Sequence, residues 1–129
     1  MREVSTPAWN ISFQLAGVTH TESGISDDPL RAVFIQMKRP VAGTVASDSG
    51  LPRFPADGPL DRRRNERVRV WEYSEGASGN ASAHYHAHDA VVVWFDSNNQ
   101  PNVYFITRGS IHGSDVPTAE VRTFVFEIL

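Results

Sequence analysis

The sequence predicts an all-β domain, on three observations. Apolar and β-branched residues fall in short runs of four to eight residues, several alternating with a period of two. Clusters of turn-formers separate those runs. No stretch of a dozen residues keeps helical spacing with a cap at each end.

In chain order, the first run is Ala32-Val33-Phe34-Ile35-Gln36-Met37, bounded by Arg39-Pro40. Val68-Arg69-Val70-Trp71-Glu72-Tyr73 puts Val68 and Val70 on one face and Arg69, Trp71 and Tyr73 on the other. Ala90-Val91-Val92-Val93-Trp94-Phe95 reads as a strand covered on both faces. Val103 to Ile106 and Val121 to Ile128 complete the set. In the last, alternation groups Phe124, Phe126 and Ile128 on what is expected to be the core face. Asp96 to Asn102 has the composition of a hairpin loop, and Glu75 to Asn80 of another. From Pro40 to Pro59 the chain is rich in Pro, Gly and Ser, which predicts a long surface connection tacked down by Leu51 and Phe54.

Composition narrows the function. The 129 residues fit one domain with one modest core, and 40% hydrophobic with 21% charged residues is ordinary for a globular chain. There is no cysteine, so disulfides and thiolate chemistry are excluded, and any metal is left to His, carboxylate or water. A net charge of -3 offers no general attraction to nucleic acid or anionic membrane. No apolar run reaches the length of a membrane helix, and Met1-Arg2-Glu3-Val4 does not open a signal peptide, so the expected compartment is the cytoplasm.

An internal similarity adds to the organisation. Ile11 to His20 aligns without a gap on Val103 to His112, matching Phe13 with Phe105, Gly17 with Gly109 and His20 with His112. Each histidine is followed by a polar loop and then a run opening with an arginine, Arg31 or Arg122. The expected organisation is one domain over 1–129. Residues 1–39 supply repeat-like β segments, 40–60 a loop and 61–129 the core.

Histidine carries the chemistry. Alternate residues of a strand share a face, so His84, His86 and His88 are expected in a row. Three imidazoles with an open coordination position make a catalytic rather than a closed structural metal site. Asp89 falls on the opposite face unless the strand bulges. The alternative for these residues is a polar strand of hydrogen-bonded histidines.

Taken together, Asn65 to Tyr73, a Gly-containing turn, His84-x-His86, Val91-Val92-Val93 and Gly109-x-x-His112 resemble a small cupin. The resemblance covers residues 65 to 129 and, through the repeat, extends weakly to 11 to 38. It implies a double-stranded β-helix, the cupin jelly roll, with the N-terminal segment resembling the back half of a second copy. It also implies metal-ligand roles for His84, His86 and His112. Where the family's motif has a glutamate this chain has Ala90 and Val91, so His88 or Asp89 is the expected substitute, and Thr107 stands where the second motif has proline. The implied cofactor is a divalent transition metal (Fe, Zn, Ni or Mn). The expected function is metal-dependent action on, or binding of, a small organic molecule. The alternative is a metal-free module that binds a small ligand or serves a structural role. A homodimer is expected, since Ala32 to Met37 is too apolar for an open edge.

Other signals are weaker. Arg62-Arg63-Arg64 with Arg67 and Arg69 reads as a solvated loop offset by Asp57, Asp61 and Glu66, and not as a nucleic-acid patch. Arg108 and Arg122 are surface cations by default, with a carboxylate substrate as the alternative partner. No Gly-x-Ser-x-Gly elbow, Walker sequence or Gly-x-Gly-x-x-Gly is present.

Overall fold

The computed structural model describes residues 5–29, 31–38, 44, 50–55, 59–73, 83–113 and 122–129. The chain divides into two units, Met1–Ile35 and Gln36–Leu129. The expected loop over Glu75 to Asn80 lies outside the described residues.

The second unit holds seven strands: β1 (Leu60–Arg64), β2 (Val68–Tyr73), β3 (His84–Tyr85), β4 (Asp89–Phe95), β5 (Pro101–Ile106), β6 (Ile111–His112) and β7 (Arg122–Ile128). The described residues contain no helix, and so none long and apolar enough to cross a membrane. β1, β2, β7, β4 and β5 form one sheet in that order, and β3 and β6 form a second. All the pairings between these strands are antiparallel.

Their nesting defines the architecture. β4 pairs with β5, β3 with β6 and β2 with β7, so the arms β2-β3-β4 and β5-β6-β7 make one long hairpin. Its middle rung has swung into a second sheet, and β7 also pairs with β4, joining the β2-β7 and β4-β5 rungs side by side in the large sheet. A long hairpin rolled in this way is the connectivity of a jelly roll. The hairpin tip is the expected loop: the Asp96 carboxylate accepts from the amides of Asn98 (2.9 Å) and Gln100 (3.0 Å), and Asn99 takes a left-handed φ of 63°.

Register sorts the residues of the large sheet. Trp71 lies opposite Val125, Val125 opposite Val92, and Ala90 opposite Ile106. These residues join Phe54 and Tyr73 in the buried core. Phe124, Phe126 and Ile128 therefore occupy the reverse face, contrary to the expectation from alternation. Both faces of β7 are apolar, and alternation separates the faces without saying which one meets the second sheet.

On that reverse face lies a buried carboxylate. Glu72 is 4% exposed and is gripped by Arg62 from β1 and Arg122 from β7. Both guanidiniums also lie over the Phe124 ring, at 5.9 and 5.5 Å from its centroid. Residues 62–64 are thus part of a strand and not a solvated loop, and Arg122 is not a surface cation. Asp61, the expected offset to the cluster, pairs with Arg69 at 2.7 Å.

In Met1–Ile35 the described residues form no strand, and Ala32 to Met37 has no ladder. Strand propensity becomes a strand only where a partner backbone completes the hydrogen bonds. The repeat survives as a turn: Val18 N–H donates to Leu15 C=O (3.4 Å), and Ser110 N–H to Thr107 C=O (3.1 Å). Gly17 and Gly109, at matched positions, have φ of 81° and 80°.

Glu72→Ala leaves two guanidiniums facing each other at a half-buried site without their anion. It is expected to cost about 3–5 kcal/mol, against about 1 kcal/mol or less for Asp61→Ala at its more exposed pair. Urea unfolding of the two variants checks this ordering.

Candidate functional site

β3 is only two residues long, yet it is held on both sides. Tyr85 N–H donates to Pro52 C=O (3.0 Å) and Phe54 N–H to Tyr85 C=O (2.8 Å), forming a parallel bridge at Arg53. On the other side, His86 N–H donates to Ser110 C=O (3.1 Å) and Gly109 N–H to His86 C=O (2.7 Å). His84 lies directly across the ladder from His112. Residues directly opposite in an antiparallel pair share a face of the sheet. The side chain of His112 lies outside the described residues.

His84 and His86 are 1% and 0% exposed, and their Nε2 atoms are 3.2 Å apart. Phe54 stacks on the His86 ring, with centroids 4.4 Å apart and planes 17° apart, and stands 6.0 Å from His84. The far side of Phe54 meets Trp71 edge-on at 6.1 Å and Tyr73 at 6.5 Å. The imidazole pair is thus fixed by an aromatic wall that reaches across to the large sheet.

The 3.2 Å separation suits a shared metal ion. Two nitrogens each about 2.0–2.1 Å from one ion lie about 2.9 Å apart at right angles and about 3.3 Å apart at the tetrahedral angle. It equally suits one neutral imidazole donating N–H to the other.

The other two predicted ligands are not brought to this pair. The strand ends after Tyr85, and a bend at Ala87–His88 turns the chain into β4. His88 therefore leaves the row, and its Nε2 takes the guanidinium of Arg53 at 3.2 Å. Asp89 accepts from the Arg108 backbone amide (2.8 Å), Nε (3.3 Å) and Nη2 (2.9 Å). These hydrogen bonds and the charge of Arg108 hold the Asp89 carboxyl below the usual carboxylate range, outweighing its partial burial. Asp89 in turn raises the Arg108 guanidinium. Among the described residues, no three His, Asp or Glu side chains converge as a metal site. Ala90, at the motif's glutamate position, is fully buried in the core. His20, the repeat's counterpart of His112, pairs with Glu22 at 3.3 Å, both partly exposed.

Arg69 and Trp71, which alternation places on one face, are joined there by Thr123. Arg69, Trp71 and Thr123 lie on the inner face of the large sheet, by their register with Glu127, Val125 and Tyr73. Arg69 Nε, Trp71 Nε1 and Thr123 Oγ1 are buried with no hydrogen-bond partner among the described residues. Arg69 also stacks on Trp71, with its guanidinium carbon 4.1 Å from the ring centroid. Register is what adds Thr123, from β7, to the face on which alternation already puts Arg69 and Trp71.

No protein-family model and no curated protein matches the chain. Among solved structures, a cupin domain from Bordetella pertussis Tohama I is similar at 25% identity, over 73% of this chain and 99% of its own. The TM-score is 0.27. At that score the likeness carries no weight for the fold, which rests on the nested strand pairing.

The Asp89 pairing sets an acid limit. Its carboxyl titrates lower in the folded chain than in the unfolded one, so its stabilisation is present above about pH 4 and is lost as pH falls through the folded value. Asp89→Asn is expected to be less stable than the wild type at pH 7, with the difference closing as pH falls through the lowered folded value. Unfolding midpoints measured from pH 2 to 7 check this; a constant difference would refute it.

Proposed function

We propose that the chain is a cupin-type protein that binds a divalent transition metal through His84, His86 and His112 and acts on, or binds, a small organic molecule. The observation that carries the reading is the convergence of two fully buried imidazoles, Nε2 to Nε2 at 3.2 Å, one of which, His84, has a third histidine as its register partner. A bound metal would supply Lewis-acid polarisation of a carbonyl or carboxylate. The chain's own residues do the rest. Phe54 fixes the ring plane of His86 by stacking, and the burial of both imidazoles keeps water from their nitrogens. Absent a carboxylate ligand, an all-imidazole set leaves the full charge of a divalent ion unbalanced, which favours an anionic ligand.

Arg69 Nε–H, Trp71 Nε1–H and the Thr123 hydroxyl, without partners among the described residues, support an acceptor-rich ligand, such as a small carboxylate. A homodimer belongs to the same proposal, since Leu15, Val18, Ile25 and Phe34 are 56–83% exposed.

Metal analysis of untagged protein after loading with Zn2+ or Co2+ is expected to find about one equivalent, and His86→Gln is expected to lose it while keeping the β-sheet circular dichroism. Less than about a tenth of an equivalent in the wild type would show that the imidazoles bond to each other instead. For the ligand, Thr123→Val is expected to leave the thermal midpoint unchanged or higher, because no hydrogen bond is lost. A drop worth more than about 1 kcal/mol would mean that the hydroxyl is already satisfied.

A further inference from the structure

We propose that His88 and Asp89 form a clamp that sets the two segments flanking β3, with each residue gripping an arginine from one side. The clamp takes His84 and His86 as the site, in keeping with the function proposed above, but it does not depend on that site holding a metal.

A two-residue strand has too few ladder bonds to define its own neighbours. On one side runs Pro52-Arg53-Phe54, whose phenyl ring stacks on His86. On the other runs the turn at Thr107-Arg108-Gly109-Ser110, which leads into His112. Immediately after the bend, His88 takes Arg53 from the first segment and Asp89 takes Arg108 from the second. Each arginine is sequence-adjacent to a residue that touches His86. Phe54 follows Arg53, and Gly109, whose amide donates to the His86 carbonyl at 2.7 Å, follows Arg108.

The chemistry of the two grips differs. Asp89 receives both the guanidinium and the backbone amide of Arg108, so it holds the turn's main chain as well as a side chain. A guanidinium carries donors only, so His88 Nε2 is the acceptor in this contact. His88 Nδ1 is buried with no hydrogen-bond partner among the described residues, which leaves the Arg53 contact to orient the ring. His88 and Asp89 are therefore positioning residues, acting on His86 and His112 through the segments they hold.

The test uses the full-length chain, free of metal, and reads amide hydrogen exchange residue by residue. Asp89→Ala is expected to speed exchange at the Gly109 and His86 amides about tenfold or more, leaving the Tyr85 and Phe54 amides slow. His88→Ala is expected to do the reverse, and Asp61→Ala, which removes a carboxylate–arginine pair elsewhere, to do neither. In Co2+ titrations Asp89→Ala is expected to weaken binding about tenfold or more, as loss of a supporting contact does, and Asp61→Ala not at all. Uniform acceleration at all four amides, or none, overturns the clamp. If the wild type takes up no Co2+, the metal reading falls, and the exchange pattern alone decides the clamp. Should Asp89→Ala not fold, Arg108→Lys, which keeps the charge but loses the two-pronged grip, carries the same test at Gly109 and His86.

Discussion

The contact on which the rest of the barrel depends is made by Phe54, a residue from the connection before the first strand. Its ring is fully buried, stacked on His86 just after β3 and packed against Trp71 and Tyr73 of the large sheet. The large sheet is apolar on both faces, so strand pattern alone does not decide which side closes over the site. Phe54 decides it. Burying one phenylalanine among such partners contributes about 2–3 kcal/mol, a large share of a small domain's net stability. Because the same ring orients an imidazole, core packing and site geometry cannot be varied independently.

Charge follows a consistent rule around that core. Three carboxylates, Asp61, Glu72 and Asp89, are each tied to arginines on another element. Glu72 joins β1, β2 and β7 on the face turned away from the histidines, through Arg62 and Arg122. Asp89 joins the start of β4 to the turn before β6. An uncompensated carboxylate beside the imidazoles would change their protonation and any ion they hold. Pairing Asp89 to Arg108 commits that charge elsewhere, which leaves histidine as the chemistry of the buried pair.

Much of this was legible in the sequence. The runs at 68–73, 90–95, 103–106 and 121–128 became β2, β4, β5 and β7, because period-two patterning is local and the turn residues between them, Asp96 above all, are self-sufficient. His84 and His86 were legible as a pair for the same reason. His88 and Asp89 were not, because a bend at Ala87–His88 breaks the alternation on which their placement relied, and nothing in that dipeptide's composition announces a bend. Arg62 and Arg122 read as solvated cations because their partner Glu72 sits ten and fifty residues away. Long-range ion pairs leave no periodic trace. The segment at Ala32–Met37 shows the converse: propensity for a strand was present, and the partner that would make it one was not among the described residues.

The shortness of β3 gives these contacts their meaning. A site carried on a long, doubly paired strand inherits its precision from the ladder, and residues beyond the ligands are then free to vary. A site carried on two residues inherits little from its own ladder. Its precision has to come from the neighbours: Phe54 behind the rings, the Arg53 bridge on one side and the Gly109 turn on the other. Gly109 suits this role through its φ of 80°, a conformation that costs a side-chain-bearing residue about 1 kcal/mol or more and that lets its amide reach the His86 carbonyl. Gly17 keeps the same turn in the N-terminal unit, where the described residues form no ladder. The turn is therefore a local property of its sequence, and what the second unit adds is the strand for that turn to hold.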